Sequence, residues 1–485
     1  MKTLNEILTY FEKTSQVENF EVLDTCLDSR KCVVGHLFIA LKGEQYDGNA
    51  FIQDAVSQGA MVILSDQQAD QSDMNASIYN IPNLKERLPA FAAWFYDDPS
   101  KKLTMIGVTG TNGKSSVCHF IAQLAGLSES KMGVLGTIGN GIWPLLETSD
   151  LTTIDNVSIQ QYLHDFLQKC TATVMEVSSH ALAQSRVDSV AFDIAVWTNL
   201  SQDHLDYHVT MEEYYQAKKK LFLKPSLSVA IINIDDPYGQ RLRKSLTHER
   251  PELKMMTYSV IGDADIQLKD LVPSPNGFKA TLCIYGDCYS VAFPMLGYFN
   301  AENIAAVCAL AHLLRYPKFW ERLAGLKTVT GRMDRVENKL SMQVLIDFAH
   351  TPDALEKALL TAKIHCKRQL WCIFGCGGDR DKSKRPKMAK IAERLADKVI
   401  LTEDNSRFEA LSGIIADVCS GFDRNDYQVI ESRKRAIEYA LQHALEGDMI
   451  LVAGKGHECY QEVMGEKLPF NEREIIEGFK RDELC

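Results

Sequence analysis

The chain has 485 residues, which is enough for about three domains of ordinary size. With 46% hydrophobic and 24% charged residues, its composition excludes a peptide, a lone binding module and a predominantly disordered chain. The 64 Asp and Glu residues outnumber the 53 Lys and Arg residues, and the net charge of −11 argues against non-specific binding to nucleic acid or anionic lipid. We therefore expect small-molecule substrates, with no nucleic-acid or membrane partner.

The first residues predict an amphipathic helix and not a signal peptide. Its apolar positions have the spacing of one helical face: Leu4, Ile7, Leu8 and Phe11. Thirteen scattered cysteines, an odd number without a Cys-x-x-Cys pair, favour reduced and buried thiols. No apolar run is long enough to span a bilayer, so we expect a cytoplasmic protein.

Apolar, β-rich runs that alternate with helical patterns predict an α/β fold from residue 103 onwards. Most of these runs are continuously apolar, which is typical of parallel strands that are covered on both faces. The predicted strands are residues 103–108, 172–177, 192–197, 229–234, 342–347, 369–374, 398–401 and 449–453. Polar seams near residues 97–100 and 328–331 predict three domains, at 1–98, 99–330 and 331–485.

A glycine-rich segment, GVTGTNGKSS at residues 107–116, follows the first of these strands and precedes a helical pattern. Gly110 and Gly113 allow the backbone to approach phosphates, Lys114 reaches the β and γ oxygens, and Ser115 suits Mg²⁺. The general phosphate-loop pattern requires glycine at position 108, where this chain has Val108, so the match is to GTNGKS alone. We predict that this loop binds ATP or GTP.

Polar residues follow later strands at the edge where an open α/β sheet binds its ligands. Glu176 ends the second strand, and His204 follows the third. Taken singly, Glu176 suits a helix cap and His204 a hydrogen-bonded surface residue. Beside a phosphate loop, however, Glu176 becomes a candidate Mg²⁺ ligand.

Nine motifs in order resemble the ATP-dependent Mur ligases of peptidoglycan synthesis: GTNGKS, MEVSSH, NLSQDHLDYH, YQAKKKL, YFNAENIAA, GRMDRV, DFAHTPDAL, TEDNSRFE and AGKGHE. The first domain adds DSR and ALKGEQYDG. The resemblance implies a central P-loop ATPase domain with a mostly parallel sheet, a C-terminal Rossmann-like α/β domain and a small N-terminal α/β domain that binds uridine. It also implies a role in cell wall biogenesis, and through it in cell shape, the cell cycle and cell division.

Within that family the chain is most similar to the ligase that extends UDP-N-acetylmuramoyl-L-alanyl-D-glutamate by a third residue. The resemblance implies that ATP converts the D-glutamyl carboxylate to an acyl phosphate, which the amine of a diamino acid then attacks. Lys114, Glu176, His204 and Lys218 match the catalytic residues of the family, and Mg²⁺ would be held by Ser115, Glu176, His204 and a carbamylated Lys218. Without the resemblance, the residues predict that Lys218 is an ordinary solvated lysine in a run of three lysines.

The resemblance also implies the residues that contact the substrates. The ATP contacts would be Gly110, Thr111, Asn112, Gly113, Lys114, Ser115, Ser116, Asn303, Arg332 and Asp347. The contacts of the UDP-muramoyl-peptide would be Ser29, Thr152, Thr153, Ser178, Gln184 and Arg186.

The amino-acid site is implied by Asp404, Asn405, Arg407, Gly454 and Glu458. Diaminopimelate-adding members of the family carry an arginine that binds the distal carboxylate, whereas lysine-adding members lack this arginine. Arg407 therefore favours meso-diaminopimelate, since a guanidinium forms bidentate pairs with carboxylates. Ser406 stands where the family has proline, so this loop loses a fixed backbone angle.

Three other functions remain open at this point. The lysine-adding ligase and folylpolyglutamate synthetase share the acyl-phosphate chemistry, although the latter does not explain DNSR together with GKGHE. A nucleotide-hydrolysing switch would use the same loop to drive a partner, but it leaves Glu176, His204 and Lys218 without a role. We expect an ATP- and Mg²⁺-dependent ligase that acts as a monomer.

Overall fold

The computed structural model describes residues 2–14, 18–43, 46–68, 76–149, 151–338, 340 and 342–480. The chain forms two compact units. The first comprises Met1–Tyr258 with Ala309–Pro317, and the second comprises Ser259–Cys308 with Lys318–Cys485. Each unit contains its own clusters of buried hydrophobic side chains.

The first unit begins with a small parallel sheet and three helices. Its elements are β1 (Lys2–Thr3), α1 (Leu4–Tyr10), β2 (Glu21–Val22), β3 (Asp24–Cys26), β4 (His36–Ala40), α2 (Ile52–Ser57), β5 (Val62–Ser65), β6 (Ser77–Asn80) and α3 (Leu84–Phe95). Strands β3 to β6 lie side by side in chain order and run parallel. The predicted N-terminal amphipathic helix is confirmed, because α1 buries Leu4, Ile7 and Leu8 and is capped by Thr3 and Glu6 in a capping box.

The remainder of the first unit is built around a larger sheet. Its elements are β7 (Thr104–Thr109), α4 (Lys114–Leu127), β8 (Met132–Gly136), β9 (Gly139–Ile142), β10 (Leu145–Glu147), α5 (Asn156–Phe166), β11 (Ala172–Glu176), α6 (Ser179–Ala183), β12 (Ile194–Trp197), α7 (Leu205–His208), α8 (Met211–Lys219), β13 (Val229–Asn233), α9 (Pro237–Glu249) and β14 (Lys254–Ser259).

Within the first unit, the strands of this sheet lie in the order β10, β9, β8, β11, β7, β12, β13, β14. From β8 to β14 neighbouring strands run parallel, whereas β9 and β10 form an antiparallel edge. The four strands that the sequence predicts in this region are confirmed as β7, β11, β12 and β13. Because β11, β7 and β12 are neighbours, the loops after their carboxyl ends lie together at one edge of the sheet.

The second unit combines an antiparallel meander with a mostly parallel sheet. Its elements are β15 (Ile266–Ser274), β16 (Gly277–Ile284), β17 (Asp287–Phe293), α10 (Tyr298–Leu313, with the unit boundary after Cys308), β18 (Asp334–Val336), β19 (Gln343–Asp347), α11 (Pro352–His365), β20 (Leu370–Phe374), α12 (Lys384–Leu395), β21 (Lys398–Leu401), α13 (Leu411–Cys419), β22 (Gln428–Val429), α14 (Arg433–His443), β23 (Met449–Ala453), β24 (Tyr460–Val463), β25 (Glu466–Pro469) and α15 (Glu472–Gly478).

Strands β15, β16 and β17 form the meander, which the sequence patterns did not predict. The second sheet has the order β18, β19, β23, β20, β21, β22, in which only the β18–β19 pair is antiparallel. Its strands β19, β20, β21 and β23 are the four that the sequence predicts here, so the α/β fold with mostly parallel sheets is confirmed. Among the described helices, none has both the length and the apolar character needed to cross a membrane.

Four of the described cysteines form disulfides, whereas the sequence predicted reduced thiols. Cys26 and Cys32, which flank a short helical turn at Ser29–Lys31, form a disulfide. Cys283 and Cys288 form a second disulfide, because they stand directly opposite each other in the β16–β17 hairpin. The prediction is therefore wrong for these four residues, whereas the other described cysteines are free.

Candidate active site

The glycine-rich loop joins strand β7 to helix α4. β7 ends at Thr109 and α4 begins at Lys114, so the predicted strand, loop and helix are confirmed. Gly110 and Gly113 have positive φ angles of 152° and 86°. A Cβ atom on Gly110 would lie 1.8 Å from Oγ1 of Thr198, which makes glycine necessary there. The loop thus brings backbone amides to the N-terminus of α4, where a phosphate is stabilised.

The loop is held in place by the segment that follows β12. The amide of Thr111 donates to the carbonyl oxygen of Asn199 at 2.8 Å, and the amide of Asn112 donates to Oδ1 of Asn199 at 3.0 Å. Ser115 and Ser116 lie in the first turn of α4 and are partly exposed. Every predicted ATP-contacting residue of this segment therefore lies on the loop or on the helix start.

Glu176 is buried beside the loop. It ends strand β11, is 1% exposed, and accepts a hydrogen bond from the Ser115 hydroxyl to Oε2 at 2.8 Å. The amide of Thr137 donates to Oε1 at 2.8 Å. Burial raises the pKa of Glu176, and the charge of Lys114 offsets that effect only in part. A carboxylate and a hydroxyl in contact are hard oxygen donors of the kind that Mg²⁺ prefers.

Lys218 is buried, whereas the residue pattern alone predicts a solvated lysine. Its side chain lies on α8, is 1% exposed, and donates from Nζ to the carbonyl oxygen of Gly110 at 2.8 Å. Lys114 donates to the same carbonyl oxygen at 3.0 Å, so the two amines lie close together. Burial lowers the pKa of Lys218 well below its usual range, and the charge of Lys114 lowers it further.

His204 lies at the exposed rim of this group. Its side chain is 45% exposed, and its ring centroid is 4.8 Å from that of His180 and 6.1 Å from that of Tyr214. Tyr214 in turn places its hydroxyl 3.2 Å from Oγ1 of Thr111 and its ring 4.6 Å from Nζ of Lys218. The structure thus brings the four predicted catalytic residues to one edge of the sheet.

The threonines predicted to contact the muramoyl-peptide adjoin Glu176. The hydroxyl of Thr137 lies 3.1 Å from that of Thr152 and 3.3 Å from Oε2 of Glu176. The hydroxyl of Thr153 donates to the carbonyl oxygen of Glu176 at 2.8 Å and accepts from the amide of Ser178 at 3.0 Å. Hydrogen bonds therefore connect the candidate cation ligands directly with the candidate peptide contacts.

Arg186 and Gln184 complete this part of the site. Arg186 donates from Nη1 to the carbonyl oxygen of Thr153 at 2.8 Å and from Nη2 to Oε1 of Gln184 at 2.5 Å. Ser29 lies in the turn after β3 and is 7% exposed. In the KGEQYDG motif at residues 42–48, Glu44 and Gln45 lie outside the described residues.

In the second unit, two of the three predicted nucleotide contacts are neighbours. Asp347 ends strand β19 and accepts hydrogen bonds from the amides of Met333 and Ala349 at 2.7 and 2.9 Å. Burial raises the pKa of Asp347, and the charge of Arg332 partly opposes this. Asn303 lies on α10, where it is buried and donates from Nδ2 to Oδ1 of Asn300 at 3.1 Å.

The loops at residues 404–409 and 454–458 meet through Asn405. Its Nδ2 donates to Oε2 of Glu458 at 2.9 Å, and its Oδ1 accepts from Nζ of Lys455 at 2.7 Å. Gly454 has a φ of 124°, and a Cβ atom there would lie 2.5 Å from Oδ2 of Asp404. The structure therefore brings together the residues predicted to bind the amino acid, with the fully buried Lys455 between them.

Arg407 belongs to the same loop but already has an anionic partner. Its Nη1 donates to the carbonyl oxygen of Gly378 at 2.9 Å, and its Nε lies 3.1 Å from Oε2 of Glu462. The backbone of Arg407 has a φ of 51°, in the left-handed region. The chain keeps this conformation without the proline that Ser406 replaces.

Sequence reasoning missed several residues that organise these sites. Thr137 follows β8, the neighbour of β11, so the rule that ligands bind beyond strand ends could have identified it. Lys455 lies in the AGKGHE motif, but the motif does not indicate its contacts with Asn405 and Glu458. Arg385 is fully buried and pairs with Glu409 at 2.7 Å. The sequence did not indicate this role, because Arg385 stands among other charged residues of its helix.

Comparison with known families accounts for most of the chain. Residues 25–96 match the catalytic domain of the Mur ligase family, residues 108–311 the Mur ligase middle domain, and residues 331–456 the Mur ligase glutamate ligase domain. A UDP-N-acetylmuramoyl-L-alanyl-D-glutamate--2,6-diaminopimelate ligase of Coxiella burnetii is 42% identical over 92% of this chain and 93% of its own length. The chain belongs to the Mur ligase family.

Further relatives extend this membership of the Mur ligase family over nearly the whole chain. An enzyme of the same name from Haemophilus influenzae is 39% identical over 98% of this chain and 100% of its own length. A solved structure of a UDP-N-acetylmuramoyl-L-alanyl-D-glutamate--2,6-diaminopimelate ligase aligns with a TM-score of 0.72 and 35% identity, covering 97% of both chains. The resemblance that the motifs indicated is confirmed, and Mur ligases are ATP-dependent ligases that form ADP.

Proposed function

We propose that this Mur ligase adds meso-2,6-diaminopimelate to the D-glutamyl carboxylate of UDP-N-acetylmuramoyl-L-alanyl-D-glutamate, in the synthesis of peptidoglycan precursors. The names of relatives about 40% identical over nearly the full chain support this substrate pair. The observation that carries the chemistry is the contact between Ser115, at the end of the phosphate loop, and the buried carboxylate of Glu176.

The proposed reaction begins with attack of the D-glutamyl carboxylate on the γ-phosphorus of ATP. This step forms an acyl phosphate and releases ADP, and the amine of diaminopimelate then displaces phosphate and loses a proton. The carboxylate and the triphosphate repel each other, so the site must concentrate positive charge between them. Lys114 and the amides at the start of α4 provide part of that charge.

Mg²⁺ would provide further positive charge to stabilise the charge that develops on the transferred phosphoryl group. We propose that Ser115 and Glu176 hold one such ion, while Glu176, His204 and a carbamylated Lys218 surround a second. The donor chemistry fits for Ser115 and Glu176, which offer oxygen atoms. An unmodified Lys218 does not fit, because an ammonium group repels a cation.

Carbamylation of Lys218 would remove that conflict, and its surroundings favour the modification. Burial disfavours the ammonium form, and only the neutral amine has the lone pair that attacks the carbon of CO₂. The new N–C bond forms, the nitrogen loses a proton, and the product is an anionic carbamate that offers oxygen ligands. We propose this form as the active state.

The other assignments follow the family motifs. We propose Asn303, Arg332 and Asp347 as nucleotide contacts, and Ser29, Thr152, Thr153, Ser178, Gln184 and Arg186 as contacts of the UDP-muramoyl-peptide. The three family matches, at residues 25–96, 108–311 and 331–456, support a division into domains 1–98, 99–330 and 331–485. The monomeric state and the cytoplasmic location stay predictions.

The choice of diaminopimelate over lysine rests on Arg407, with Asp404, Asn405, Gly454 and Glu458 as the other proposed contacts. A guanidinium binds a distal carboxylate, which diaminopimelate has and lysine lacks. We propose that Glu458 receives the distal ammonium group, and the hydrogen bond from Asn405 that orients its carboxylate supports this role.

One assay tests the proposal. The protein is incubated with ATP, Mg²⁺ and UDP-N-acetylmuramoyl-L-alanyl-D-glutamate, and the formation of ADP and of the extended peptide is compared for meso-diaminopimelate and L-lysine. We expect the product with diaminopimelate only. A preference for lysine would refute the role of Arg407, and equal phosphate release without either acceptor would favour the switch.

A further inference from the structure

The guanidinium group of Arg407 already contacts two protein groups in the absence of a ligand. Nε lies 3.1 Å from Oε2 of Glu462, and Nη1 donates to the carbonyl oxygen of Gly378. The two charged side chains are 20% and 24% exposed, so the pair faces solvent at one side. The N–H groups at the outer ends of Nη1 and Nη2 are left to bind a carboxylate.

Glu462 is held near Arg407 by the backbone as well as by its charge. The amide of Arg407 donates to the carbonyl oxygen of Glu462 at 3.0 Å. The amide of Met464 donates to the carbonyl oxygen of Arg407 at 2.8 Å. The amide of Glu462 also donates to Oδ1 of Asn405 at 2.9 Å. These contacts fix the backbone of residue 462 beside Arg407, so the carboxylate of Glu462 remains within reach of the guanidinium when a ligand binds.

From these contacts we propose that Glu462 is a specificity-determining residue that weakens the binding of a ligand carboxylate to Arg407. Two anions beside one guanidinium repel each other, and this repulsion is strong in a partly buried site. Glu462 thus sets how tightly the distal carboxylate of the acceptor amino acid is held. The inference rests on the proposed function, since it requires that Arg407 receives that carboxylate.

Glu462→Gln separates the effect of charge from that of structure. Glutamine keeps the size of the side chain and a polar oxygen beside Nε of Arg407, and the backbone contacts of residue 462 do not involve the side chain. At saturating ATP and UDP-muramoyl-dipeptide, we expect the KM for meso-diaminopimelate to fall about three- to tenfold, as expected for removing one nearby like charge. The KM for ATP should not change. A merely structural role would raise the KM for the amino acid or lower the thermal midpoint.

Two further variants make the test specific. Glu466→Gln removes a charge from an exposed position of the same hairpin and should leave the KM for diaminopimelate unchanged. In an Arg407→Gln background, Glu462→Gln should give no gain, because the shared cation is gone. L-lysine has no distal carboxylate, so any residual use of lysine should not improve in Glu462→Gln.

An unchanged or higher KM for diaminopimelate in Glu462→Gln would overturn the inference. Glu462→Ile, a second neutral variant that suits a β-strand, should lower the KM as well, and it decides the matter if the glutamine variant does not fold. The proposed function fails separately, because in that case the unaltered protein forms no product from diaminopimelate.

Discussion

The amide of Thr137 donates to Oε1 of Glu176 at 2.8 Å, while the hydroxyl of Thr137 lies 3.3 Å from Oε2 of the same carboxylate. That hydroxyl also lies 3.1 Å from the hydroxyl of Thr152. One residue therefore touches both a proposed ligand of Mg²⁺ and a proposed contact of the UDP-muramoyl-peptide. Both subsites should respond when the hydroxyl of Thr137 is removed.

Thr137→Val keeps the shape of the side chain and the amide hydrogen bond but removes the hydroxyl. We expect the Mg²⁺ concentration needed for half-maximal ADP binding and the KM for the dipeptide each to rise about fivefold, which corresponds to about 1 kcal/mol for one lost hydrogen bond. Calorimetric titration of ADP at several Mg²⁺ concentrations measures the first effect and steady-state kinetics the second. Thr137→Ser should restore both, and unchanged Mg²⁺ dependence in the valine variant would contradict this role.

Glu176→Gln should make the ligand-free protein more stable while it abolishes Mg²⁺-dependent ligase activity. Because burial raises the pKa of Glu176, its contribution to stability is complete below the pKa of an unfolded glutamate and is lost as the pH rises through the raised pKa. We therefore expect the variant to gain about 2–4 °C in thermal midpoint near pH 8 and little near pH 4.

Thermal unfolding between these two pH values, without nucleotide or Mg²⁺, measures the effect. Glu213→Gln provides a matched control, since Glu213 is exposed on α8 in the same unit. A midpoint for Glu176→Gln below that of the unaltered protein near pH 8 would show that burial of this carboxylate carries no cost.

Lys218→Ala should abolish ligase activity, and added bicarbonate should not restore it. The reason is that the proposed carbamate needs the Lys218 amine, whose neutral form is favoured because burial lowers the pKa of Lys218. The unaltered protein should lose activity after brief exposure to mild acid, which decomposes carbamates, and regain it with bicarbonate. Native mass spectrometry before and after this treatment should follow the bound CO₂.

The neighbouring lysine offers the control for this experiment. Lys220→Ala alters an exposed residue of the same lysine run and should retain full activity and full response to bicarbonate. Turnover close to normal in Lys218→Ala would remove the carbamate from the proposed mechanism.

The phosphate loop was predictable because its determinants are local: two glycines, a lysine and a serine lie within six positions, between a strand and a helix. Glu176 and His204 were predictable from strand ends, since parallel strands place their carboxyl ends at one edge. The burial of Lys218 was not, because Lys218, Lys219 and Lys220 look alike in sequence and only the packing of α8 decides that the first two are buried.

The same limit applies to contacts between distant segments. The pairing of Arg407 with Glu462 depends on where the β24–β25 hairpin contacts the 404–409 loop. Hydrophobic patterns do not predict this contact. The disulfide between Cys283 and Cys288 depends on the register of a meander that the patterns missed altogether.

The residues proposed to hold the ATP phosphates and Mg²⁺ and those proposed to choose the amino acid belong to different compact units. Substitutions around Asn405 and Arg407 can therefore accumulate without altering the packing around Glu176 and Lys218. A lineage of such enzymes could exchange one cross-linking residue of the cell wall for another while inheriting its energy-coupling chemistry intact.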